Sequence, residues 1–140
     1  MARRILDGAF KDQNGCGVAS GTVTVYLAGT TTLAIIYSAI SGGSAVSGSA
    51  LTTDSKGYWY CYVDETDYGS SQRFKVSLSK QGYATTSYDY IRVYTTPPAL
   101  TAAEIAAISS PSAGDWAYDS TNNKLVFYNG SAWETVTSST

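Results

Sequence analysis

Along much of this chain, apolar and polar residues alternate with a period of two. That is the spacing of strands that bury one face. Across Thr22–Leu27 the side chains of Val23, Val25 and Leu27 point one way, and Thr22, Thr24 and Tyr26 the other. Arg73–Ser79 repeats the pattern with Phe74, Val76 and Leu78 inward. Between them, residues 58–63 alternate aromatics: Trp59, Cys61 and Val63 on one side, Tyr58, Tyr60 and Tyr62 on the other. The Trp59 side is the better core face, because phenols carry polar tips that tolerate water. Shorter runs at 33–37, 46–51 and 88–94 read as further strands. Turn residues separate them: Ala28-Gly29-Thr30-Thr31, Ser41-Gly42-Gly43-Ser44, Asp54-Ser55-Lys56-Gly57 and Gln81-Gly82-Tyr83. Short strands at this spacing predict a sandwich or barrel.

After Pro97 and Pro98, which cannot join a central ladder, the period changes. Residues 101–108 form the one helical stretch, with Thr101 as N-cap and Glu104 completing a capping box. Two turns need packing to persist in water, so this helix must lean on something. Residues 115–119, 124–128 and 133–136 then read as a three-stranded meander, with Asn129-Gly130 as the hairpin turn. The predicted fold class is all-β: an antiparallel β-sandwich, a short helix and a small three-stranded β-meander. The predicted division is an arm at 1–17, the sandwich at 18–95, a linker with the helix at 96–110, the meander at 111–137 and a tail at 138–140. The arm reads either as a frayed end or as a docking peptide anchored by Ile5, Leu6 and Phe10.

Composition sharpens this picture. Of the 140 residues, 14% are charged and 12 are Tyr, so strands and turns are favoured over helices. A net charge of -2 disfavours nucleic acid as a partner. No apolar run approaches membrane-spanning length, and Arg3 and Arg4 precede no hydrophobic segment, so neither membrane insertion nor a signal peptide is expected. Cys16 and Cys61 form no disulfide framework and read as free thiols, fitting a reducing cytoplasm.

Histidine is absent, which removes the commonest general base and metal ligand. No nucleophile elbow or phosphate-binding glycine pattern appears. No cofactor and no enzyme activity are expected. Asp64, Glu65 and Asp67 are the densest acids; they suit Ca²⁺ through oxygen ligands, or simply a solvated loop. A glycosidase running on carboxylates is the remaining enzyme class.

The outward tyrosines suggest more. Three in a row exceed what a free monomer usually exposes, so Tyr58, Tyr60 and Tyr62 are candidate interface residues. In the meander, Trp116, Tyr118, Phe127 and Trp133 need cover from the sandwich or from other copies. Tyr58, Tyr60, Tyr62, Tyr88, Tyr90 and Tyr94 also read as a sugar-stacking platform or as ordinary sheet aromatics.

Three stretches carry a resemblance. The turn Thr53-Asp54-Ser55-Lys56-Gly57-Tyr58, with the strand ending Leu78-Ser79-Lys80-Gln81-Gly82-Tyr83, resembles the prealbumin-like sandwich also seen as the regulatory domain of carboxypeptidases. Val25-Tyr26-Leu27-Ala28-Gly29-Thr30-Thr31-Thr32-Leu33-Ala34-Ile35-Ile36-Tyr37 resembles a segment of tailed-phage virion proteins, where a Pro often stands in place of Leu33. Residues 110–119 and 124–134 resemble a small module of phage fibres and appendages. The resemblance implies a non-enzymatic virion structural protein, a short fibre or a capsid, neck or tail decoration subunit. It further implies a homotrimer docked on other virion proteins, made in the host bacterial cytoplasm and released by lysis. The alternative is a carbohydrate-binding adhesin that recognises a host-surface glycan.

Overall fold

The computed structural model describes residues 3–93, 97–109 and 111–137. In chain order the elements are β1 (Arg3–Ala9), β2 (Thr22–Leu27), β3 (Ala50–Thr52), β4 (Tyr58–Asp64), β5 (Arg73–Ser79), β6 (Thr86–Arg92), β7 (Ala99–Leu100), α1 (Ala102–Ala106), β8 (Trp116–Asp119), β9 (Lys124–Tyr128) and β10 (Trp133–Thr135). The chain divides into two compact units. One holds residues 5–63 and 73–93; the other holds 3–4, 64–72 and the described residues beyond 96.

The larger unit is the sandwich. Its four-stranded sheet runs β3-β2-β5-β6, antiparallel throughout. The register pairs Val23 with Leu78, Val25 with Val76 and Leu27 with Phe74, so the alternating apolar sets of β2 and β5 share one face. The second sheet pairs β1 with β4. Leu6 and Phe10 of the first segment and Trp59, Cys61 and Val63 of β4 are buried, as are Val23, Val25, Phe74, Val76 and Leu78 of the other sheet. The turn before β4 forms as its residues dictate. Asp54 Oδ1 accepts the N–H groups of Lys56 (2.8 Å) and Tyr58 (2.9 Å). Gly57 adopts φ +85°, and a side chain there would collide with Phe10 O. That close approach lets Phe10 N–H donate to Gly57 O at 2.8 Å, fastening the end of β1.

The expected N-terminal arm is therefore a strand. Asp7 and Gly8 interrupt its apolar pattern, but Gly8 is required: a Cβ there would come 2.9 Å from Trp59 Cζ2. The expected strand at 33–37 is a crossing segment instead. Leu33 bridges Tyr26 of one sheet and Tyr37 bridges Tyr62 of the other. It moves between sheets too quickly to build a ladder in either. The weak run at 46–51 yields only β3, beginning at Ala50. β6 begins two residues earlier than its aromatics suggested, and it bulges opposite Lys75, where Tyr90 takes φ +54°.

The smaller unit holds the sheet β10-β9-β8-β7. The meander gains a fourth strand, β7, which runs parallel to β8. The preceding prolines masked it. Thr101 Oγ1 accepts Glu104 N–H and Glu104 Oε1 accepts Thr101 N–H, closing the capping box of α1. The helix leans on the sheet: Ile105 and Ile108 bury Leu100, Ala117 and Val126, with Trp133 packed alongside.

Candidate functional site

Each unit leaves a ring-bearing sheet face uncovered. On the sandwich it is the outer face of β4 and β1. Alternation along β4 sends Trp59, Cys61 and Val63 inward, which obliges Tyr58, Tyr60 and Tyr62 to face out. Tyr58 is 53% exposed and Tyr60 57%. Tyr62 is half-buried, packed edge-to-face on Tyr60 with ring centroids 6.0 Å apart. Tyr37 shares backbone hydrogen bonds of 2.9 Å with Tyr62 in both directions, so its ring belongs to the same face. Beside β4, Ile5, Asp7 and Ala9 complete a shallow groove of about 470 Å³ with Tyr58 and Tyr60. Asp7 is the one charged residue lining it.

On the smaller unit, the register pairs Trp116 with Phe127 and Tyr118 with Leu125. These four side chains share the face opposite α1. Trp116 is 46% exposed, and Tyr118, also exposed, donates its hydroxyl to Asn123 Oδ1 at 3.2 Å. Trp133 lies on the other face, against Tyr128 and the helix-covered core. Of the four aromatics expected to need outside cover, Trp133 and Phe127 are half-buried and Trp116 and Tyr118 are open.

The docking anchors change meaning. Leu6 and Phe10 are enclosed in the sandwich core, because β1 is a core strand, and only Ile5 of the three reaches solvent. The acidic cluster is likewise used internally. Asp64 Oδ2 meets Arg3 Nε at 3.3 Å, while Oδ1 accepts the N–H and hydroxyl of Thr66. Glu65 pairs with Arg4 through Oε1, and its Oε2 is buried without a hydrogen-bond partner. Burial pushes the Glu65 carboxyl above its ordinary value, although the Arg4 hydrogen bond and charge pull it down. Asp67 does not join these two as a cation site: among the described residues no group of three acids, thiols or histidines is placed to hold a metal. Of the three acids read as a Ca²⁺ candidate or a solvated loop, Asp64 and Glu65 face arginines.

Tyr88 and Tyr90 are exposed but stand on β6, in the other sheet from Tyr58 and Tyr60, and Tyr94 lies outside the described residues. The six tyrosines do not share one sheet. Cys61 is buried and Cys16 exposed, both free. Desolvation, with the Asp7 charge adding to it, pushes the Cys61 thiol up to about 12, which keeps it protonated and unreactive. Sequence reasoning missed the partners of Arg3 and Arg4. The only signal was their spacing from Asp64 and Glu65, which becomes legible once β1 is known to pair with β4.

A scan of family models, a search of curated proteins and a search of solved structures each match nothing for this chain.

Proposed function

We propose that the chain is a non-enzymatic structural subunit of a bacteriophage virion, a short fibre or a decoration subunit of capsid, neck or tail, working as a homotrimer. The observation that carries the assembly reading is the exposure of whole aromatic rows: Tyr58 and Tyr60 beside Ile5, and Trp116 beside Tyr118. Each such ring gives about 2 kcal/mol when a second surface removes it from water. Tyr and Trp are among the residues enriched at the core of an interface. The virion assignment rests on the resemblance of residues 25–37 to a segment of tailed-phage virion proteins and of residues 110–119 and 124–134 to a module of phage fibres and appendages. The test is to purify particles from a lysate in which this chain carries a small tag, and to image them with a gold-labelled tag antibody. Label at one repeated position on the particle is the expected result. Particles that lack the chain sink the proposal.

The groove of Asp7, Tyr58 and Tyr60 favours a second reading, a host-glycan adhesin, because a carboxylate beside open rings suits sugar hydroxyls stacked on phenols. Glycan-array signal lost with Tyr58→Ala and Tyr60→Ala, in a chain that still assembles, would select it.

A further inference from the structure

The sandwich unit carries a second concavity that the interface reading does not use. It measures about 510 Å³ and lies between the loop after β1 and the β5–β6 turn. That size is within the range of pockets that take small ligands. Its apolar wall is Tyr83, held edge-on against buried Phe10 with centroids 6.4 Å apart. Tyr83 remains 44% exposed, so ring surface is open to the cavity. Its polar wall is Lys11, Gln13, Asn14 and Thr86. Neither the Lys11 ammonium nor the Gln13 and Asn14 side-chain amides have a partner within the described residues.

The lining carries one ammonium, Lys11, and one acid, Asp12. Lys80 Nζ sits 5.8 Å from the Tyr83 ring centroid, anchored on Ala19 O at 2.6 Å. The Asp12 Oδ1 is engaged by the N–H groups of Asn14 (2.9 Å) and Cys16 (3.0 Å).

These groups sort by what they recognise. A partly exposed ring stacks on the C–H face of a pyranose. Free amides each offer a donor and an acceptor to neighbouring hydroxyls. A lone ammonium answers a carboxylate as a point charge, whereas a phosphate dianion is usually held by several donors and, with twice the charge, would be opposed more strongly by Asp12. We propose that this pocket binds a carboxylated sugar unit of a polysaccharide, with Tyr83 as the stacking platform, Lys11 facing the carboxylate, and Gln13 and Asn14 on the ring hydroxyls. The proposal stands independently of the virion assignment.

Isothermal titration calorimetry of the whole protein tests it, using a glucuronic acid oligomer, a glucose oligomer of equal length and uridine monophosphate. The acidic oligomer is expected to bind about ten-fold more tightly than the neutral one at low salt. Lys11→Gln should erase that preference, Gln13→Ala should weaken both sugars, and Tyr83→Ala should abolish binding. Lys11 and Gln13 are exposed, so their variants decide the matter even if Tyr83→Ala disturbs packing on Phe10. The proposal is overturned if neither oligomer gives heat, or if the nucleotide binds more tightly than the sugars. It also fails if Lys11→Gln and Gln13→Ala bind as the wild type does, or if Tyr58→Ala and Tyr60→Ala remove binding instead.

Discussion

Asp115 is buried, and its two carboxylate oxygens accept the N–H groups of Ser71 (2.6 Å) and Ser112 (2.8 Å). Gly69 makes room for it: a methyl added there would overlap Asp115 Oδ2. Gly69→Ala must therefore displace a buried carboxylate from two donors, at a cost of about 2–3 kcal/mol. Urea denaturation of the variant should show that loss, and an unchanged midpoint would remove Asp115 from its assigned place. Glu65 makes a prediction about pH. Its folded pKa is raised above the ordinary 4.5, so the folded state holds the proton more strongly than the unfolded chain does. Its contribution to stability is complete below 4.5 and is lost as pH rises through the folded value. The stability of wild type relative to Glu65→Gln should thus fall as pH climbs from 4.5. A difference that stays flat, or that grows with pH, contradicts the buried, raised carboxyl.

Among the elements, β1 and α1 show where sequence could and could not be read. β2 and β5 were legible because Val23, Val25, Phe74, Val76 and Leu78 alternate without interruption. α1 was legible from Thr101 and Glu104, which signal a helix start through local hydrogen bonds alone. β1 was not, because its inward positions are Leu6, Gly8 and Phe10, and the glycine exists only to admit Trp59 from a strand some fifty residues on. Likewise β7 depends on pairing with β8, a contact no local pattern encodes. The same logic predicts that deleting residues 1–14 unfolds the sandwich, since Leu6 and Phe10 leave its core, rather than merely freeing the protein from a partner. Circular dichroism showing a cooperative, wild-type-like melt of the truncated chain would contradict this. Ile105→Ala should cost about 2–4 kcal/mol, because Ile105 is the buried contact of α1 with Leu100 and Ala117. A smaller loss would mean that the helix is not what covers that face.

For the molecule as a whole, the ledger of indoles is divided. Trp59 is buried in the sandwich, and Trp133, half-buried, packs beside the α1 core. Trp116 and the Tyr58–Tyr60 row remain in solvent. The Tyr58–Tyr62 face was readable from alternation alone, because the strand period dictates that Tyr58, Tyr60 and Tyr62 oppose a Trp59 core. The Tyr83 pocket was not, since it joins residues 10–14 to 82–86 through the tertiary fold. Replacing Tyr58, Tyr60 and Trp116 with Ser should leave the fold intact and release protomers. The central claim is that copies of this chain cover those rings. Its most direct measurement is size-exclusion light scattering at micromolar concentration, wild type beside the triple variant. The account predicts three times the 14.8 kDa chain mass for the wild type and a single folded chain for the variant. A folded wild-type protein that elutes as a 14.8 kDa monomer contradicts it.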